Sequence, residues 1–460
     1  MSGGARAHGV RFVRVLVLVL LAAGPLLAGA VHPPVFVPFL AGSAVAGAAA
    51  YLRARREPVR PPLPGARLLL ALHGLVLLQL VPLPPALLRV ASPGSFSFYN
   101  DHLLLPLTAW KPISVSPPDT VRGLAFLAGL SLLYLAVFRE MAGAPWRRRL
   151  VLTVVGAGVA ITVVAFVQAV SPEPHKIYGL WRPRWDWAVF GPYVNRNHFA
   201  GYLVMAAPLA MGFAVEALSR LRSAWGRGRR RWLLLGEREG TAAVRWSAAV
   251  MVIVAGLVAS GARGGVSAFA VATLVVLLMI VFGSVLPLST RERRWMALAV
   301  LLLVAAGLYW IGPGGVLSAF EARGVRASRL DLWRDMLPIV PRFPLFGVGW
   351  NAFATAYPWY QTIWRTEWIG EAHNDYLQVL LDGGAFGLLL VAGLLAVVFR
   401  GALARAPRSP LDLGLFGALL GFALHEAVDF NGQIPANAAT WVSLAALAVT
   451  PVRDPTHPVP

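Results

Sequence analysis

Cysteine is absent from all 460 residues, which excludes a disulfide framework, a thiolate-bound zinc and a cysteine nucleophile. The compartment stays open, because an exported face can fold without disulfides. Charge is scarce as well: Asp, Glu, Lys and Arg make up 13% of the chain, with 21 acidic residues against 41 Lys and Arg. There is no repeat of fixed period and no low-complexity segment beyond basic loops. What the chain has instead is apolar surface, with 57% hydrophobic residues and a mean hydropathy of +0.65. A soluble protein could not cover that surface, so the chain reads as an all-α polytopic membrane protein.

At roughly 20 apolar residues per span, about twelve transmembrane helices are expected. They lie near 12–31, 34–52, 66–82, 119–137, 149–170, 198–218, 246–262, 265–286, 295–312, 384–399, 412–428 and 438–450. The first, Phe12 to Val31, carries a basic flank and an Ala28-Gly29-Ala30 triplet that resembles a cleavage site. It is too long for a signal-peptide core and reads as a retained helix. Alternate connections divide the cations unequally. The N-terminus, Arg53–Arg67, Arg139–Arg149, Arg220–Arg245, Arg291–Arg294, Arg400–Arg408 and Arg453 hold 27 of the 41, against 12 in the longer connections of the other face. The positive-inside rule then places both termini in the cytoplasm, with 451–460 as a short cytoplasmic tail. The net charge of +20 is therefore topogenic. The run Arg227, Arg229, Arg230, Arg231 reads as a stop signal, and no nucleic-acid partner is expected.

Three outward connections stand out. Residues 83–118 are Pro-rich, with Trp110 and Lys111; residues 171–197 hold Trp181, Trp185, Trp187, Arg182 and Arg184. Residues 313–383 form the longest, and a connection of that length is usually functional or structured in its own right. Ser328 and Asp331 have cap-box spacing, and Leu330, Trp333 and Leu337 recur at helical spacing. This predicts an amphipathic helix lying on the bilayer surface. Trp350, Phe353, Tyr357, Trp359, Tyr360, Trp364 and Trp368 follow, as an interfacial belt or as stacking surfaces for sugars.

Polar islands at the edges of hydrophobic runs carry the chemistry, since ionisable groups at membrane depth are costly. His373 lies between Glu371 and Asp375. It suits a proton acceptor, a helix cap or a partner of Asp375. A divalent metal is a weaker reading, because no second ligand has clear spacing. Arg263 precedes Gly264 and Gly265 in a tight break between spans. Its planar fork suits a pair of phosphate oxygens. The alternatives are an ion pair with Glu371, Asp375 or Asp429, or snorkelling. Arg196, between Asn195 and Asn197, has snorkelling to lipid phosphate as its alternative. A late group, His425-Glu426 through Asp429-Phe430-Asn431 to Pro435, is either a helix break facing a cavity or an ordinary span end.

Taken in order, these pieces resemble the O-antigen ligase and O-antigen polymerase superfamily of bacterial membrane glycosyltransferases. The matching segments are Asn195-Arg196-Asn197-His198-Phe199-Ala200-Gly201, Ala262-Arg263-Gly264-Gly265, Pro344-Leu-Phe-Gly347-Val-Gly349, His373-Asn374-Asp375-Tyr376-Leu377-Gln378, and His425 with Asp429-Phe430-Asn431 and Ile434-Pro435-Ala436-Asn437. The resemblance implies a GT-C-like helical bundle. Residues 1–190 would supply N-terminal helices with periplasmic loops, 191–450 the ligase-like region, and 313–383 a large periplasmic loop with amphipathic helices. It implies an undecaprenyl-diphosphate-linked glycan donor, a lipid A-core or glycan hydroxyl as acceptor, and a site on the periplasmic face of the bacterial inner membrane. By motif position, Arg196 and Arg263 would bind the diphosphate and His373 would activate the acceptor. Asn195, His198, Glu371, Asn374, Asp375, His425 and Asp429 would support them. The reaction would be inverting and free of metal and cofactor. One departure is Ala262, where the family often has Ser. The alternatives are a chain-extending polymerase, a protein O-glycosyltransferase, disfavoured by the short region after Thr450, and an inorganic-carbon transporter. A transporter should show inverted repeats, and none is visible.

Overall fold

The computed structural model describes residues 3–56, 61–102, 107–183, 189–224, 236–283, 289–298, 329–363 and 368–451. Among them the chain is helical, with isolated bridges and no named strand. The helices are α1 (Gly3–Leu26), α2 (Pro33–Ala54), α3 (Ala66–Leu80), α4 (Pro85–Ala91), α5 (Pro93–His102), α6 (Pro117–Glu140), α7 (Ala144–Ala169), α8 (Arg196–Ala224), α9 (Arg238–Ala259), α10 (Arg263–Phe282), α11 (Arg329–Met336), α12 (Asp375–Arg405), α13 (Pro410–Glu426) and α14 (Pro435–Val449). A short helix over 290–298 lies between α10 and α11. Proline opens many of them, at Pro33, Pro85, Pro117, Pro410 and Pro435. Its fixed φ suits the first turn, where no amide partner is needed.

Eight helices among the described residues are long and apolar enough to cross a membrane. The chain is thus a multi-pass membrane protein. The sequence-based count of about twelve also included α3 and α14, of 15 residues each, and α13, of 17. At 1.5 Å per residue, these are shorter than a bilayer core. Of the span expected at 295–312, residues 299–312 lie outside the described residues.

The bundle is layered. In α8, 78% of the spanning window is buried, against 50% or less in the other candidate spans. It packs against α9 and α13, and α13 against α10. The faces of α13 and α14 are buried almost all round. These helices form the centre, with α1, α2, α6 and α7 joined on one side and α3 with α12 on another. One large apolar cluster runs through them.

Ion pairs gather at one end of the bundle. Arg53 meets Glu140 at 3.1 Å, Arg148 meets Glu216 at 2.7 Å, and Arg222 meets Glu292 at 2.6 Å. Asp412 is shared by Arg147 and Arg405. The arginines of these pairs all belong to the connections counted as the cation-rich face. The polar islands lie at the other end.

The outer connection has its own core. Phe98 and Val115 pack with Leu332, Met336, Ile339, Phe343, Val348, Phe353 and Tyr357. α11 turns one face into this core. The helix is amphipathic, but Leu332, Asp335 and Met336 form its buried face, while Leu337 is exposed. Asp335 can face inward because Tyr357 Oη donates to it at 2.6 Å and Thr362 N at 2.8 Å. These bonds hold its carboxyl below the usual range even though burial opposes them. Phe353 and Tyr357 are likewise core rather than belt, whereas Trp359 and Trp368 are exposed. Ser328, Trp185, Trp187, Arg184, Trp364, Arg227, Arg229, Arg230 and Arg231 lie outside the described residues.

The Pro344–Gly349 motif has a structural task. α12 is broken at Gly384, whose φ of 62° and ψ of −163° are not helical. A break frees backbone groups that lipid cannot satisfy. Here the 344–349 segment satisfies them. Ala385 N donates to Pro344 O at 2.8 Å and Phe386 N to Leu345 O at 3.2 Å, while Val348 N donates to Leu381 O at 2.9 Å and Gly349 N to Asp382 O at 3.1 Å. A Cβ on Gly347 would meet the Asp382 backbone at 2.4 Å, so only glycine fits. Gln79 of α3 locks the junction, donating to Phe346 O at 2.6 Å and Asp382 O at 2.9 Å and accepting from Trp350 N at 2.9 Å.

Candidate functional site

The polar islands converge at one end of the central helices. Asn195 opens α8: its carbonyl accepts from His198 N at 3.0 Å and its Oδ1 from Asn197 N at 2.9 Å. Arg196 is thereby the first residue of α8, exposed at the helix's positive end. Arg263 is the first residue of α10, also exposed. Arg196 Nη1 lies 3.7 Å from the place a Cβ on Gly261 would take, two residues ahead of Arg263. Neither arginine has a carboxylate partner in the ion pairs of the described residues. Glu371, Asp375 and Asp429, the partners considered for Arg263, are engaged or placed otherwise. Ahead of Ala262, Ser260 caps the break: its Oγ accepts from Ala262 N at 3.2 Å and donates to Leu257 O at 2.6 Å.

Close approach explains the small residues. His425, on α13, would lie 3.3–3.4 Å from a Cβ on Gly264 or Gly265. Asn431 Oδ1 would lie 2.0 Å from one on Gly201. Asn431 approaches His425 Nδ1 at 3.4 Å and accepts from Asn437 Nδ2 at 3.0 Å. Asn437 Nδ2 also donates to His198 O at 2.8 Å, and its Oδ1 accepts from Tyr193 Oη at 2.9 Å. This net joins the Tyr193–His198 segment to the late group, and His425 packs against Gly264 and Gly265. The late group is thus a buried junction rather than an ordinary span end.

Asp429 is the hub. It is 1% exposed and faces His425 Nε2 at 3.7 Å, His198 Nε2 at 3.9 Å, His373 Nδ1 at 4.0 Å and Arg329 Nη2 at 3.4 Å. Burial pushes its carboxyl up, but Arg329 and the three histidines outweigh that and hold it below its ordinary value. Phe430 separates two of the rings. His198 and His373 each meet it edge-on, with centroids 4.6 and 4.8 Å away. His198 Nε2 and His373 Nδ1 are buried without a hydrogen-bond partner.

His373 keeps 31% of its side chain exposed at the mouth of this cluster. Burial pulls its imidazole down to about 4, with Asp429 opposing and Arg329 assisting. It is therefore neutral near pH 7, the form that accepts a proton. Its neighbours in sequence are not its partners. Asn374 caps α12 by accepting from Leu377 N at 3.0 Å. Asp375 turns to Gly432 N at 2.8 Å, which Glu426 also reaches at 3.0 Å. Burial, with Asp382 and Asp375 nearby, raises Glu371 well above the carboxylate range. Of the readings open for His373, the pairing with Asp375 gives way to the facing Asp429, 56 positions away in sequence. Among the described residues no group of three or more His, Asp and Glu is arranged to hold a metal ion.

Sequence reading missed Arg329 and the indole of Trp333, which donates to Ala372 O at 2.9 Å. Both lie in the long outer connection, where Trp333 reads only as part of a helical apolar pattern and nothing marks Arg329. Asn437 was within reach, since it ends the Ile434–Asn437 segment.

The O-antigen ligase family (Wzy_C) matches residues 248–392, which include Arg263 and His373. The chain is 29% identical over 141 residues to "Exopolysaccharide production protein ExoQ" of Rhizobium meliloti (strain 1021), covering 28% of this chain and 32% of that protein. It is 27% identical over 117 residues to "ComP-specific O-oligosaccharyltransferase" of Acinetobacter baylyi (strain ATCC 33305 / BD413 / ADP1), covering 25% of this chain and 21% of that protein. The matched stretches thus span a third or less of these curated relatives. The chain is a polytopic helical membrane protein in which residues 248–392 match the O-antigen ligase family.

Proposed function

We propose that the protein is a glycosyltransferase that moves a glycan from an undecaprenyl-diphosphate carrier to a sugar hydroxyl on a lipid or glycan acceptor, at the periplasmic face of the bacterial inner membrane. The observation that carries this reading is a pairing of two features at one bundle end. Two exposed arginines begin neighbouring helices without carboxylate partners, and a neutral histidine faces a buried aspartate. Both termini are then cytoplasmic, and residues 191–450 are the working region, because Arg196, His198, His425 and Asp429 flank the matched domain and meet it in the same site.

In this mechanism Arg196 and Arg263 hold the diphosphate. Their planar forks and the two helix N-termini offset its charge. His373 takes the proton from the acceptor hydroxyl. The oxygen attacks the anomeric carbon opposite the diphosphate, the carbon–oxygen bond to the diphosphate breaks, and the charge left on undecaprenyl diphosphate is met by the arginines. Attack from the opposite face inverts the anomeric configuration. Asp429 stabilises the imidazolium that forms, and Asn195, Asn374 and His425 hold the surrounding backbone and rings. No step calls on a metal or cofactor.

The relatives widen the acceptor question. One is named for exopolysaccharide production, which fits a chain-extending polymerase. The other is named a ComP-specific O-oligosaccharyltransferase, which fits the protein O-glycosyltransferase alternative. The test is transfer by the purified protein in lipid nanodiscs, given an undecaprenyl-diphosphate oligosaccharide and each acceptor separately: lipid A-core, a second carrier-linked glycan, and a protein acceptor. Product with lipid A-core supports the ligase reading, and product with the carrier-linked glycan alone moves the assignment to polymerase. No product with any acceptor, from protein that binds the donor, would sink the proposal.

A further inference from the structure

His373 has a φ of 52°. That left-handed conformation is strained for a non-glycine residue. It persists only where the surroundings over-determine it. Here they do. Ala372, the preceding residue, is 0% exposed. Side chains from two elements engage both of its backbone groups. Its N–H donates to Gln378 Oε1 at 2.7 Å, and its carbonyl accepts from Trp333 Nε1 at 2.9 Å. On the other side, Asn374 is fixed as the cap of α12.

Each half of this clamp is itself held. Gln378 Nε2 donates to Asp382 Oδ2 at 3.0 Å, and Asp382 Oδ1 accepts from Phe353 N at 3.0 Å. Trp333 rides on α11, which is tied to the site by Arg329 and to residues 357–362 by Asp335. Neither Trp333 nor Gln378 hydrogen-bonds the imidazole, so both act through the backbone.

We infer that Trp333 and Gln378 are positioning residues for His373, clamping the Ala372 backbone so that the imidazole keeps Nδ1 toward Asp429 and its edge on Phe430. The inference rests on the reading of His373 as the proton acceptor. It explains why the outer connection is built into the protein: it delivers α11, and with it one half of the clamp. The charged and titratable groups facing the ring are Asp429 and His198, with Arg329 and His425 behind Asp429. They come from the α13–α14 connection, α8, α11 and α13. A ring released from the clamp leaves this enclosure and gains solvent.

The test is chemical modification of His373 by diethyl pyrocarbonate, which attacks neutral imidazole, followed across pH by peptide mass mapping on the full-length protein in nanodiscs. In the wild type the midpoint should lie at about 4. Trp333→Phe keeps the ring bulk and removes the donor. Its midpoint should move up toward the ordinary histidine value of about 6.5. Transfer should fall roughly 10–100-fold with the donor KM within about twofold, the pattern of a misplaced reacting group. Gln378→Met is the second variant, for use if Trp333→Phe does not fold, and should act in the same direction. An unchanged midpoint in a folded variant overturns the inference, whatever happens to turnover. The parallel variant His373→Ala separates the two ideas. If it keeps full transfer, the catalytic reading fails, while the modification midpoint still decides whether the clamp exists.

Discussion

At the scale of single residues, the account turns on which groups touch His373 and which merely neighbour it in sequence. A free-enzyme imidazole held at about 4 is neutral through the physiological range. Activity should therefore be flat above about pH 5 and fall as pH drops through about 4, seen as the acid limb of kcat/KM. A bound diphosphate adds negative charge and raises the imidazole, so the acid limb of kcat should lie at higher pH. Asp429 raises His373, so Asp429→Asn should move the kcat/KM limb further down while slowing transfer. A limb that moves up instead contradicts the facing pair. Arg263→Ala should abolish transfer in protein that still inserts and folds, and Arg263→Lys should rescue poorly, because a point charge replaces a two-pronged fork. Wild-type turnover of Arg263→Ala at limiting donor would place the diphosphate elsewhere. The sequence made His373, Arg263 and Arg196 visible because polar residues are rare at the ends of apolar runs. It did not reveal Asp429 as the partner of His373, because Asp375 stands two positions away and Asp429 comes near only through the fold. Arg329 gave no signal at all: in an exposed connection an arginine is unremarked, and its value comes from where α11 is docked.

At the scale of elements, hydropathy located most of the spanning helices but not how they are interrupted. The apolar run begins the late span at 384, whereas α12 starts at Asp375 and breaks at Gly384. The break is invisible to hydropathy because the residues on both sides remain apolar. Its cost is met by the 344–349 segment, about 40 residues upstream by numbering, through a register no local pattern encodes. The amphipathic pattern of α11 was legible, but its direction was not, since a protein core and a bilayer surface ask for the same periodicity. Close packing at the island glycines gives a test at this scale. Gly201→Ala places a methyl group where Asn431 Oδ1 would be 2.0 Å away. Overpacking of this kind typically costs about 1–3 kcal/mol. The variant should melt at lower temperature in detergent and lose transfer, because Asn431 also holds Asn437 and lies against His425. An unchanged melting temperature would show that the net is looser than drawn.

At the scale of the whole molecule, two ends of one bundle carry different chemistry. Ion pairs from the cation-rich connections tie one end, and the polar islands fill the other. Composition alone made the polytopic class legible, because no soluble fold covers so much apolar surface. The number of spans was less legible, since α3, α13 and α14 are apolar yet short and α13 and α14 are wrapped by other helices. If the cation-rich end is cytoplasmic, a cysteine introduced at Ser223 should be shielded from a membrane-impermeant maleimide in intact cells, and one at Gln361 should react. Labelling of both from outside would contradict the topology. The central claim is that the islands form one transfer site in which His373 takes the acceptor's proton. Its most direct test is the transfer rate of His373→Ala from an undecaprenyl-diphosphate glycan, measured beside the donor affinity of the same purified variant. The account predicts transfer reduced by roughly 10²–10⁴-fold with donor affinity nearly unchanged, because a general base acts on the transition state. Full transfer by His373→Ala in that assay would contradict it.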